Sequence, residues 1–160
     1  LLATGDVVGF LHADDFYATN DVLSKVAEAF EDPSVCAVYG DLEYVSQHDV
    51  SKVVRSWKSK PFEQDNLAWG WMPAHPTFYV RREWYKIIGG FDMSYRISAD
   101  YLSILQLFSE KDFKAIYIPD VLVKMRLGGA SNKSLKALFR KTKEDWCASR
   151  NVVSVTATWF

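Results

Sequence analysis

An alternation near the start of the chain constrains the fold more than any other feature. The run "DVVGFLH" (residues 6–12) is short and apolar, bounded by Gly5 and by an aspartate pair, and reads as a buried strand. Val22, Leu23, Val26, Ala27 and Phe30 then recur at the spacing of one helix face. Thr19, Asn20 or Asp21 supplies the cap, and Pro33 follows the end. A second apolar run, "SVCAVYG", comes next. Strand, helix and strand in that order are the signature of an α/β fold.

The rest of the chain extends the pattern. "LEYVSQ" and "KVVRSW" read as extended segments split by the polar "HDVS". "PTFYVRR" is a further strand, with a short helix after it that stops at Gly89-Gly90. Ser98 can cap another helix whose buried face carries Tyr101, Leu102, Leu105 and Phe108. "FKAIYIP" and "VLVKMR" read as two strands joined around Pro119 and Asp120. A basic amphipathic helix is expected over residues 134–147, after the loop "LGGASN".

With 160 residues the chain can bury a real core, but not two ordinary ones. Its net charge of −1 conceals no acidic or basic block of the size nucleic-acid binding needs. Cys36 and Cys147 form neither a metal-type spacing nor a disulfide framework, which fits a reducing compartment. No apolar run is long enough to span a bilayer. The chain opens on "LLATGDVVGF", without Met, as a sequence entered in mid-fold would.

Two places carry chemistry. Asp14 and Asp15 follow a buried strand, where α/β sheets place their ligands, and carboxylates suit hard cations such as Mg²⁺ or Mn²⁺. Asp is equally at home in a turn that ends a strand, and the pair alone favours that reading. Asp100 stands in the first turn of a helix, a position that favours its ionised form and lets it accept a proton from a hydroxyl. A first-turn acid can also be purely stabilising.

Four stretches, "GDVVGFLHADDFY", "MPAHPTFYVRREWYKIIGGFD", "ISADYLSILQLF" and "MRLGGASN", stand in an order and spacing that resembles family 2 glycosyltransferases of bacterial polysaccharide synthesis. The resemblance implies a GT-A-like mixed sheet flanked by helices over residues 1–150, lacking its first strand–helix–strand portion, and an apolar tail at 151–160. It implies an inverting transfer of a sugar from a nucleotide-diphosphate donor, a UDP-sugar foremost, to a saccharide or lipid-linked acceptor. Asp14 and Asp15 fall on the motif that holds a divalent metal, Mg²⁺ or Mn²⁺, and the donor diphosphate. Asp100 falls on the catalytic base. Gly129 and Ser131 fall on the loop that closes over the donor, and His75 on the acceptor side.

The sequence departs from that pattern at His12, where Asn or Asp is usual, and at Ala99, where Glu is common. Trp69, Trp71 and Tyr95 offer aromatic faces to a sugar ring, with Trp71 assigned to the acceptor side, but large aromatics are also core material. Arg81 and Arg82 suit a phosphate or a solvated strand end. Residues 133–150 carry six cations against two carboxylates. They fit either an ordinary surface helix or a helix lying on an anionic membrane. The expected location is therefore the cytoplasm, with its membrane face as a second position. The tail "NVVSVTATWF" invites self-association into a homo-oligomer. It also motivates a rival to the enzyme reading, a non-catalytic module that binds or self-associates.

Overall fold

The structure is a computed structural model that describes residues 2–69, 71–95 and 98–127. The chain forms β1 (Val7–Val8), β2 (Phe16–Tyr17), α1 (Val22–Ala29), β3 (Ala37–Val45), β4 (Val53–Trp57), β5 (Tyr79–Arg81), α2 (Arg82–Ile87), α3 (Ala99–Ser109) and β6 (Ala115–Arg126). The strands make one sheet in the order β1-β5-β3-β6-β2, with β4 also paired to β3. β3 and β6 are parallel and every other pair is antiparallel. β3 is the spine: β6 covers one edge along its length, while β5 and then β4 share the other.

The α/β alternation is present, but several boundaries move. The first strand keeps only Val7 and Val8 of residues 6–12. The Asp pair then lies in a turn, where the Asp15 N–H donates to the His12 carbonyl at 3.0 Å. "SVCAVYG" and "LEYVSQ" are not two strands but the single β3, since Gly40 does not break it. A Cβ at Gly40 would lie 2.5 Å from the Leu122 side chain and 2.9 Å from the Asp120 carbonyl. The glycine is there for close packing against β6, not for a turn. "FKAIYIP" and "VLVKMR" likewise merge into β6. Pro119 lacks an N–H to donate, and the strand absorbs it where the β3–β6 register shifts, between Tyr39 and Leu42.

Two apolar clusters flank this spine. The larger packs α2 and α3 on the sheet through Tyr85, Leu102, Ile104, Leu105 and Phe108. Ile104 and Leu107 are buried along with the expected face, so α3 is enclosed on more sides than one amphipathic stripe requires. Phe108 sits at the centre, 4.5 Å from the Phe62 ring centroid and 5.8 Å from that of Phe78. The second cluster packs Val22 and Val26 of α1 with Leu42, Ala74, Tyr79, Leu122 and Val123. Asp21 occupies the N-cap of α1 without a side-chain cap bond, and pairs with Lys25 at 3.2 Å instead. Ser98 holds the N-cap position of α3.

Arg81 is neither a phosphate ligand here nor a solvated strand end. Its guanidinium donates to the carbonyls of Val35 at 2.7 Å and Phe30 at 2.9 Å, and lies over the Phe30 ring. It ties β5 to the turn between α1 and β3.

Phe108→Ala should cost about 3–5 kcal/mol by leaving a cavity among the five aromatic rings that surround it. Gly40→Ala should cost roughly 1–3 kcal/mol by forcing β6 away from β3. Chemical denaturation of the two variants against the parent checks both values.

Candidate active site

The site is assembled from segments far apart in sequence. Gly9 carries no side chain, so the Tyr79 ring packs directly against the backbone that leaves β1. Phe10 then points into the larger core, with its ring 5.4 Å from Phe91 and 6.2 Å from Tyr85. These two contacts fix the stretch from Phe10 to Asp15. The opposite wall is the 3₁₀ turn His75–Thr77. Thr77 is fully buried, and its hydroxyl accepts from the Gly40 N–H at 3.3 Å while donating to the Ala74 carbonyl at 2.8 Å. That pins the turn to β3.

The result places His75 against both ends of the first segment. Its ring stacks on Phe10 at 5.5 Å between centroids and meets the His12 ring edge-on at 5.9 Å. Burial lowers the His75 pKa, the Asp100 carboxylate acts in the opposite direction, and His12 lowers it further. His75 Nδ1 is buried with no hydrogen-bond partner among the described residues. The Asp100 charge is also felt at the buried hydroxyl of Tyr85, whose pKa burial raises. Asp100 stands in the first turn of α3.

Asp15 is buried and Asp14 exposed. The Asp15 carboxyl pKa is raised by burial, lowered by His12, raised by Asp14 and lowered by the Arg126 backbone. Its Oδ2 has no hydrogen-bond partner among the described residues. A desolvated, unpaired carboxylate oxygen costs stability unless something binds it. Among the described residues no three His, Cys, Asp or Glu side chains converge as a metal site. Two neighbouring carboxylates, one with a free buried oxygen, still fit a cation that takes its other ligands from water and a substrate phosphate.

Of the residues singled out in the sequence, His12 couples electrostatically to Asp15 and to His75, Asp14 to Asp15, and Asp100 to His75. Trp71 lies apart, half-buried among Tyr39, Phe62 and Phe108 at 5.5–5.7 Å between centroids. Tyr95 packs partly buried against the same cluster. Gly129, Ser131, the basic stretch and the tail lie outside the described residues, as does the Trp69 side chain. Tyr44 and the Arg126 backbone, both beside Asp15, had no signal in the sequence. Sheet register alone brings them there.

The mixed sheet, its flanking helices and this carboxylate-lined edge define a GT-A-like fold. Residues 1–96 match the family model described as glycosyl transferase family 2. The chain is 30% identical over 146 residues to PGL/p-HBAD biosynthesis glycosyltransferases of Mycobacterium bovis and Mycobacterium tuberculosis. That match covers 88% of this chain and 53% of theirs. Its fold is similar to that of the mannosyltransferase PcManGT from Pyrobaculum calidifontis, solved with GDP-Man and Mn²⁺. The TM-score is 0.52 at 14% identity, covering 99% of this chain and 52% of that one. The chain therefore belongs to glycosyl transferase family 2, and it spans about half the length of the relatives it matches.

The His75 imidazole should titrate below the ordinary 6.5 in an NMR pH series. Asp100→Asn should move it lower still, because it removes the charge that favours the protonated ring. An unshifted His75 in that variant would separate the two residues.

Proposed function

We propose that the complete protein transfers a sugar, with inversion, from a nucleotide-diphosphate donor to a hydroxyl of a saccharide or lipid-linked acceptor. The observation that carries the reading is the buried Oδ2 of Asp15, without a hydrogen-bond partner among the described residues, beside Asp14 and coupled through His12 and His75 to Asp100. Family membership and the GDP-Man and Mn²⁺ complex of PcManGT support the same chemistry.

Asp14 and Asp15 would hold Mg²⁺ or Mn²⁺, which when bound offsets the charge of the leaving diphosphate. Asp100 accepts the proton of the acceptor hydroxyl as that oxygen attacks the anomeric carbon, on the face opposite the departing diphosphate. Displacement from that face inverts the anomeric centre. His75, held neutral by burial, keeps a second positive charge away from Asp100 and leaves the carboxylate free to act as a base. Ser131 and Gly129 complete the donor side in this reading, and Trp71 lies toward the acceptor.

Calorimetry on the full-length protein with Mn²⁺ and either UDP or GDP tests the donor half and discriminates the nucleobase, with UDP expected. Asp15→Asn should abolish this binding. Asp100→Asn should preserve it while lowering kcat by about 10²-fold or more. Binding that survives in Asp15→Asn would remove the metal assignment. Unchanged turnover in Asp100→Asn would remove the base.

A further inference from the structure

The β3–β4 hairpin has a composition that the transfer reaction does not use. From Val50 to Phe62 the sequence contains Lys52, Arg55, Lys58 and Lys60 and no carboxylate, in a chain whose net charge is −1. All four cations are exposed. Lys60 donates to the Asn66 side chain at 2.9 Å, and none of the four forms an ion pair among the described residues. The one carboxylate near the hairpin tip, Asp49, is already bonded to the backbone N–H and hydroxyl of Ser51.

The same strand exposes apolar surface. Val53 pairs with Val45 and Arg55 with Tyr44, so Val54 is the extra residue of a bulge in β4, and Val53 and Val54 are 42% and 53% exposed. Val50 adds a third exposed valine at 40%. β4 is exposed from Val53 to Ser56, and its outer edge has no partner among the described residues. Lysines and a bulge on an edge strand guard against self-pairing. Guarding does not call for exposed valines beside them. Trp57 is half-buried in the same strand, and the Arg55 guanidinium carbon lies over the rings of Tyr44 and Trp57, 5.4 and 5.9 Å from their centroids. Arg55 is exposed and forms no ion pair among the described residues, so its charge is available to an anion.

We infer that the β4 edge is a docking surface for an anionic lipid bilayer. Lys52, Arg55, Lys58 and Lys60 would meet the headgroups, while Val50, Val53, Val54 and Trp57 enter the boundary beneath them. Cations interleaved with short apolar side chains and a Trp are what such an interface binds. Sheet register relates this surface to the site. Tyr44 pairs with Arg55 on one side and Met125 on the other, and continuing the β2–β6 register one step sets Asp15 opposite Met125. Asp15, Met125, Tyr44 and Arg55 thus form one row across four strands, about 14 Å from end to end.

Vesicle co-sedimentation of the full-length protein tests the surface without reference to turnover, so its outcome is independent of the proposed reaction. The protein should bind phosphatidylcholine vesicles that contain about one phosphatidylglycerol in three, and not pure phosphatidylcholine. Trp57 emission should shift to the blue on binding, and Trp57→Phe should remove that component. Lys52→Ala with Lys58→Ala should weaken partitioning roughly tenfold or more, and raising salt to about 1 M should do the same. Val54→Ser, at an exposed position with little to lose in folding, should weaken it several-fold. Circular dichroism confirms that each variant is folded. Equal binding to neutral vesicles, no binding to either, or binding unaffected by Lys52→Ala with Lys58→Ala overturns the inference. So does retention on an anionic polysaccharide without vesicle binding.

Discussion

The structure depends on the parallel contact between β3 and β6. β3 is buried nearly throughout and, among the described residues, is the only strand paired to three others, so its position sets theirs. The contact requires Gly40, because any side chain there would strike Leu122 and the Asp120 carbonyl. The same glycine gives its N–H to Thr77, which anchors the turn bearing His75. Close strand packing and placement of the site histidine therefore rest on a single small residue.

Electrostatics in the site follow from what is buried beside what. Asp15 is desolvated and its Oδ2 has no hydrogen-bond partner among the described residues, a state that carries a cost. His75 is desolvated too, and its neutral form suits a place beside His12. Asp100 stands in the first turn of α3, where its charge acts on that ring.

Much of the architecture was legible in the residues, and the failures have definite causes. The helix over Val22–Ala29 and the helix opening after Ser98 followed from apolar periodicity. The strand breaks placed after Gly40 and at Pro119 were wrong for one reason. Glycine and proline mark turns only when no neighbouring strand makes use of them, and here β3 and β6 accommodate each other's irregularity. Arg81 read as a surface cation because nothing local shows that three carbonyls surround it.

The sequence by itself determined the α/β class, the two carboxylate positions and, through four ordered motifs, the family. Those are properties of local pattern and spacing, which survive without coordinates. Only tertiary structure decided that Asp15 is buried with an oxygen unpartnered among the described residues, and that His75, 63 positions beyond His12, meets that histidine ring to ring. It likewise decided that Asp15 and Arg55 lie at the two ends of one row. Burial and cross-strand register depend on residues distant in the chain, so neither is encoded in any single stretch of it.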